Sequence, residues 1–338
     1  MLKNTLDSPL DSRGFVRALL APIAALALAL LPACAERADP DGSPDASIRV
    51  VATTGMIADA ARAIAGDRAE VRALMGPGTD PHLYTPTRTD MQRVLNADIV
   101  LYNGLLLEGK MGDALDRART ADRRVVAVAE KIDPEHLLHP EELEGEPDPH
   151  LWMDPVVWRL VVEAVRDVLI EADPDGADLY LANASAYLAE LDALHEYASR
   201  VLAMVPEERR VLVTAHDAFG YFGERYAYRV LGVQGISTAS EAGVRDVERL
   251  VSEVIDRGIP AVFAETSVPD RNIRAIIEGA RARGHTVRLG GELFSDAMGE
   301  TGTYRGTYIG MIDHNVTTIA RALGADIPAS GMAGRLDD

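Results

Sequence analysis

From Ile48 onward the chain alternates short β-branched runs with longer stretches of helical periodicity. Strands are expected at 48–53, 70–74, 99–102 and 125–128, with helices near 57–65, 88–96 and 107–118 between them. A second series places strands at 211–214, 228–233, 261–264 and 286–289. Its helix over 244–257 carries Val247, Leu250, Val251, Val254 and Ile255 at i, i+3, i+4 spacing. Alternating β and α elements imply parallel sheets with helices on both faces.

Between the two series, residues 177–205 contain no Gly or Pro. Leu188, Leu191, Leu194, Ala198, Val201 and Val205 form one stripe along them. A helix over about 174–204 would be about 45 Å long, enough to run along two domains. The expected architecture is α/β, two parallel-sheet lobes joined by a single long rigid helix with limited closure. The lobes are placed at 48–172 and 206–325, the linking helix at 173–205 and a flexible tail at 326–338.

Composition narrows the function. The chain has 338 residues with 34 basic against 53 acidic side chains, a formal charge of −19, which argues against nucleic-acid binding. Its one cysteine, Cys34, rules out an intramolecular disulfide framework and a thiolate zinc cage. That cysteine follows an uncharged run from Ala18 to Leu31, short for a membrane-spanning helix and suited to a signal-peptide core. Residues 1–33 therefore read as an export signal. The polar stretch 34–47, rich in Pro, Asp and Ser, reads as a flexible tether.

Ligands of open α/β sheets sit beyond the carboxyl ends of the strands. Three of the eight histidines fall there: His82 after the second strand, His150 after the fourth, and His216 after the first strand of the second half. Two share a tripeptide, Asp80-Pro81-His82 and Asp148-Pro149-His150, whose proline stiffens the loop. Asp80 and Asp148 are candidate acceptors that orient the imidazoles. A fourth donor is expected from the second half. Asp296, in the glycine-rich loop after the last strand, competes for that role with Glu292, Glu300 and Glu265, the last also a candidate acceptor for an imidazole.

The segments DPHLYTPT, DPHLWMDP, TAHDAFGYF, QGISTASEAG and GGELFSDAMG, the last followed by GTYIGMIDHN, resemble the zinc and manganese solute-binding lipoproteins of bacterial ABC transporters, the TroA-like class (cluster A-I, or cluster 9). The resemblance covers about residues 48–325. It implies two lobes bridged by a long helix, with a metal held between them by His82, His150, His216 and Asp296. The segment ending in Leu31-Pro32-Ala33-Cys34 likewise resembles a lipobox, with Pro32 where a small residue is usual. It implies a lipid on Cys34 and a protein exported and anchored at the membrane. The implied partners are an ABC permease and its ATPase. A monomer carrying one metal per chain is expected.

Three imidazoles and a carboxylate suit zinc. The family's manganese specialists commonly carry a carboxylate where His216 stands, which leans the same way; manganese and iron(II) are the alternatives. Zinc specialists often have a long histidine-rich loop, whereas residues 133–149 hold only His136 and His139 among seven acidic residues and read as a solvated loop. Two other functions use the same residues. One is an exported zinc-dependent hydrolase with Glu265 as general base, which would need an open coordination position. The other is a surface adhesin or structural metalloprotein.

Overall fold

The computed structural model describes residues 48–119 and 123–336; the expected signal, Cys34 and the tether lie outside the described residues. The first lobe contains β1 (Ile48–Ala52), α1 (Gly55–Ala65), β2 (Ala69–Ala73), α2 (Arg88–Asn96), β3 (Ile99–Tyr102), α3 (Gly112–Ala118) and β4 (Arg124–Ala127). Its strands form one parallel sheet in the order β2-β1-β3-β4. Two helices follow, α4 (Pro155–Ala172) and α5 (Ala177–Leu202).

The second lobe runs through β5 (Val211–His216), α6 (Gly220–Tyr226), β6 (Arg229–Gln234), α7 (Val244–Asp256), β7 (Ala261–Glu265), α8 (Arg271–Ala282), β8 (Arg288–Leu293) and α9 (Tyr308–Leu323). Its strands pair as two parallel ladders, β5–β6 and β7–β8. β5 and β7 lie side by side, and the His216 N–H donates to the Glu265 carboxylate at 2.8 Å.

The pleat sorts successive side chains to opposite faces. Val51, Val100 and Val125 pack outward against Val94 of α2 and Leu115 of α3. In the second lobe Val213 and Val262 pack against Leu250 and Val254 of α7 and Ile273 and Ile276 of α8. The opposite faces meet in one continuous core, where Val50 and Leu101 join Ile57 of α1, Val161 of α4, Leu191 and Leu194 of α5, and Ile319 of α9. Leu212 and Phe263 of the second lobe belong to the same core. α5, 26 residues and about 39 Å long, packs on α1, α4 and α9. Rigid-body opening of the lobes would have to shear that shared core.

Sequence reasoning missed three helices. α4 had clear signals: Asp154 caps it through the Val156 N–H at 2.8 Å, and Pro155 sits at its first turn. Its buried Val157, Trp158, Val161, Val162, Val165, Val168 and Leu169 also repeat at i, i+3, i+4 spacing, so the amphipathic stripe was present in the sequence as well. α6 is two turns long, and α8 places its buried Ile273, Ile276 and Ala280 among charges.

The carboxyl-terminal tail corrects an expectation. Residues 326–336 are docked rather than flexible: the Met332 N–H donates to both oxygens of buried Asp313, at 2.8 and 3.0 Å, and Leu336 is buried. A backbone bond to one buried carboxylate and one isolated leucine leave no periodic signal. Among the described residues, no helix is long and apolar enough to cross a membrane.

Candidate metal centre

The four predicted ligands converge. One donor atom each from His82, His150, His216 and Asp296 lies within 4.8 Å of every other. His82 comes from the loop after β2, and His150 opens the 3₁₀ turn Leu151–Met153 ahead of α4. His216 ends β5, and Asp296 follows β8, so both lobes contribute. The Nε2 atoms of His82 and His150 face each other at 3.3 Å. The Asp296 oxygens stand 3.3 Å from His216 Nε2 and 3.5 Å from His150 Nε2.

Two imidazoles are held from behind. His150 Nδ1 lies 2.7 Å from Asp148 Oδ1, which also accepts the His150 backbone N–H at 2.9 Å. His216 Nδ1 lies 2.5 Å from Glu265 Oε2, while Glu265 Oε1 accepts the His216 backbone N–H. With Nδ1–H donated to a carboxylate, each ring turns its Nε2 toward the centre, where loss of the Nε2 proton leaves a lone pair for a metal. Asp80 behaves differently despite sharing the Asp-Pro-His tripeptide. Its Oδ1 accepts the His82 backbone N–H at 2.9 Å, and its Oδ2 accepts the Thr238 hydroxyl at 2.6 Å across the lobes. Trp152 makes a second crossing, its indole N–H donating to the Ser295 carbonyl at 2.7 Å.

The rivals of Asp296 stay outside the cluster. Glu292 and Glu300 are exposed, and both Glu265 oxygens are engaged by His216. His136 and His139 are also outside it: His136 pairs with Glu135 at 3.6 Å, and His139 contacts the Gly145 carbonyl at 3.2 Å.

Burial disfavours charge throughout the centre and pushes the His82 imidazole down to about 3. Burial acts on His150 too, but Asp148 and Asp296 outweigh it and raise its pKa to about 9. The same contest, with Glu265 and Asp296, holds His216 well above the ordinary imidazole value. Asp296 is desolvated as well, yet the charges of His216 and His150 hold it well below the carboxylate range. The centre thus gathers acidic charge around nitrogen donors.

Its hydrogen bonding is incomplete. His216 Nε2 and both Asp296 oxygens are buried without a hydrogen-bond partner. Buried polar atoms are normally paired, and three orphans aimed at one point mark the place of a cation. Tetrahedral zinc, bonded at about 2.0–2.1 Å, puts its donors about 3.3 Å apart, within reach of this set.

A two-lobed α/β protein with a buried His₃Asp set between its lobes belongs to the class of metal-binding receptors. Comparison with known proteins narrows the class to a family. Residues 50–322 match the model of the zinc-uptake complex component A, periplasmic, and the chain belongs to that family. It is 48% identical over 283 residues to the zinc-binding protein TroA of Treponema pallidum, covering 84% of this chain and 91% of that one. It is 46% identical over 281 residues to the manganese-binding lipoprotein MntA of Bacillus subtilis, covering 83% and 91%. The solved structure of the periplasmic zinc-binding protein TroA superimposes with a TM-score of 0.79, over 82% of this chain and 99% of that one.

Proposed function

We propose that this protein is the extracytoplasmic receptor of a metal-uptake ABC transporter. It captures one divalent transition metal through His82, His150, His216 and Asp296 and delivers it to a permease driven by an ATPase. The observation that carries the proposal is the buried donor set with its three orphaned atoms. Zinc is the favoured cargo, because three nitrogen donors and one oxygen in a compact set match its preferred shell. One relative is named for zinc and another for manganese. The choice therefore rests on His216, which supplies nitrogen where a carboxylate would favour a harder ion. A lipid on Cys34 would hold the monomer at the membrane.

The hydrolase reading is disfavoured by Glu265. Both of its oxygens are bonded to His216, so neither is free to take a proton from water. Four protein donors would also close a tetrahedral shell that catalysis needs open.

Elemental analysis of the purified protein, followed by competitive zinc and manganese titration of the stripped form, tests the proposal. One tightly held metal per chain, lost in His82→Ala, is the expected result, and His216→Asp should shift preference from zinc toward manganese. Substoichiometric binding in the unaltered protein would overturn the receptor reading. An unchanged zinc-to-manganese ratio in His216→Asp would overturn the role given to that residue.

A further inference from the structure

Among the proposed ligands, Asp296 is held differently. His150 and His216 are fixed by carboxylates behind their rings, whereas both Asp296 side-chain oxygens lack a hydrogen-bond partner. Beyond its approaches to the His216 and His150 Nε2 atoms at 3.3 and 3.5 Å, its direction is set by the loop that carries it. That loop is closed by the Gly299 N–H donating to the Arg305 carbonyl at 2.8 Å. The loop is anchored on one side of Asp296 by the Phe294–Asn315 pair and by the Ser295 carbonyl on Trp152, and on the other side by the 3₁₀ turn Tyr304–Gly306.

The tail grips that turn. The Tyr304 hydroxyl donates to Asp313 at 2.9 Å, and the same carboxylate receives the Met332 N–H. Asp313 also accepts from Thr317 at 3.2 Å, and the Thr317 hydroxyl lies 3.0 Å from that of Tyr197 on α5. The Arg335 guanidinium covers the Tyr304 ring at 4.4 Å, and Arg305 donates to the Leu336 carbonyl. Gly331 has φ +74°, and a Cβ there would stand 2.6 Å from the Asp313 oxygens and 2.5 Å from Leu336 Cδ1. Only glycine fits this seat without strain. The family match ends at residue 322, so this segment lies beyond the matched region.

We infer that residues 331–336 are a positioning brace for the metal centre, holding the Tyr304–Gly306 turn and through it the loop that aims Asp296. The inference rests on the proposed role of Asp296 as a ligand. Supporting partners outside a metal's own ligands typically change affinity by roughly 10–100-fold, and a contact this far out belongs at the lower end.

The test uses the full chain. Gly331→Ala should undock the segment and speed zinc release, measured by stopped-flow chelator competition, about tenfold while one zinc per chain is retained. It should also alter the visible spectrum of the cobalt-substituted protein, which a purely stabilising tail would leave unchanged. Ile273→Val, on the far side of the second lobe, is the control for general destabilisation and should leave the release rate unchanged. Should Gly331→Ala fail to fold, Arg335→Ala, which changes an exposed side chain, should raise the release rate in the same direction. A folded variant with unaltered release and spectrum overturns the brace. An unaltered protein that binds neither zinc nor manganese nor iron(II) overturns the receptor reading, and the brace with it.

Discussion

Glu265 and Asp148 do the same work in different ways, and the difference predicts unequal outcomes for the same chemical change. Glu265 serves two donors with two oxygens: Oε1 takes the His216 backbone N–H at 2.8 Å, and Oε2 faces Nδ1 at 2.5 Å. In Glu265→Gln one of these oxygens becomes an NH₂. If the amide nitrogen faces the backbone N–H, two donors collide. If it faces Nδ1, the ring must move its proton to Nε2, the nitrogen needed for metal. Asp148 instead serves both His150 donors with Oδ1 alone, at 2.9 and 2.7 Å. In Asp148→Asn the amide oxygen can keep both bonds, and only the assistance of the charge is lost.

Replacing such an outer partner weakens metal binding by roughly 10–100-fold, or about 1.4–2.7 kcal/mol. Glu265→Gln should fall near the upper end and Asp148→Asn at or below the lower. Competition with a zinc chelator of known affinity, at one pH and salt concentration, measures both. Equal losses, or a larger loss in Asp148→Asn, would refute the tautomer argument and leave only a general electrostatic role for the two carboxylates.

Two further outcomes concern stability. Asp59 is pulled to a raised pKa by burial, although Tyr308 N–H and Tyr187 OH both donate to its Oδ2, at 3.0 and 2.9 Å. A carboxyl whose folded pKa is raised contributes stability below its unfolded value and loses it as pH climbs through the folded one. Asp59→Asn can keep both bonds through its carbonyl oxygen. Its stability relative to the unaltered protein should therefore rise in urea titrations as pH climbs from below the ordinary carboxylate range through the raised folded value, and a flat difference would contradict the assignment. Glu108, fully buried, accepts from the Thr53 hydroxyl at 2.8 Å and from the N–H groups of Asn103 and Gly104 at 2.6 and 3.1 Å. Glu108→Ala should cost about 3 kcal/mol in the same assay by stranding these donors, and a loss below about 1 kcal/mol would show that water replaces the carboxylate.

The ligands could be read from sequence because strand ends are legible. Four-residue runs such as Ile99–Tyr102 announce themselves by composition, and parallel sheets send their loops to one side, so histidines following strands had to approach one another. The choice of Asp296 over Glu292 and Glu300 needed the family motif, since burial, which separates them, is a property of the packed loop. The supporting partners were legible only in part. Asp80 and Asp148 occupy the same position in the same tripeptide, and both accept the backbone N–H of the histidine two residues on, a local bond that Asp-Pro-His sets by itself. Their remaining contacts are set by distant chain: Asp148 also takes the His150 ring, while the second oxygen of Asp80 reaches Thr238, 158 residues away. Local sequence thus fixes the stiff presentation of both histidines, and tertiary packing decides which imidazole is oriented by its own aspartate. His82, whose Asp80 is turned toward the other lobe, is the ligand whose ring has no carboxylate behind it. Its direction therefore depends on the lobes meeting, and the Asp80–Thr238 bond ties the His82 loop to that meeting.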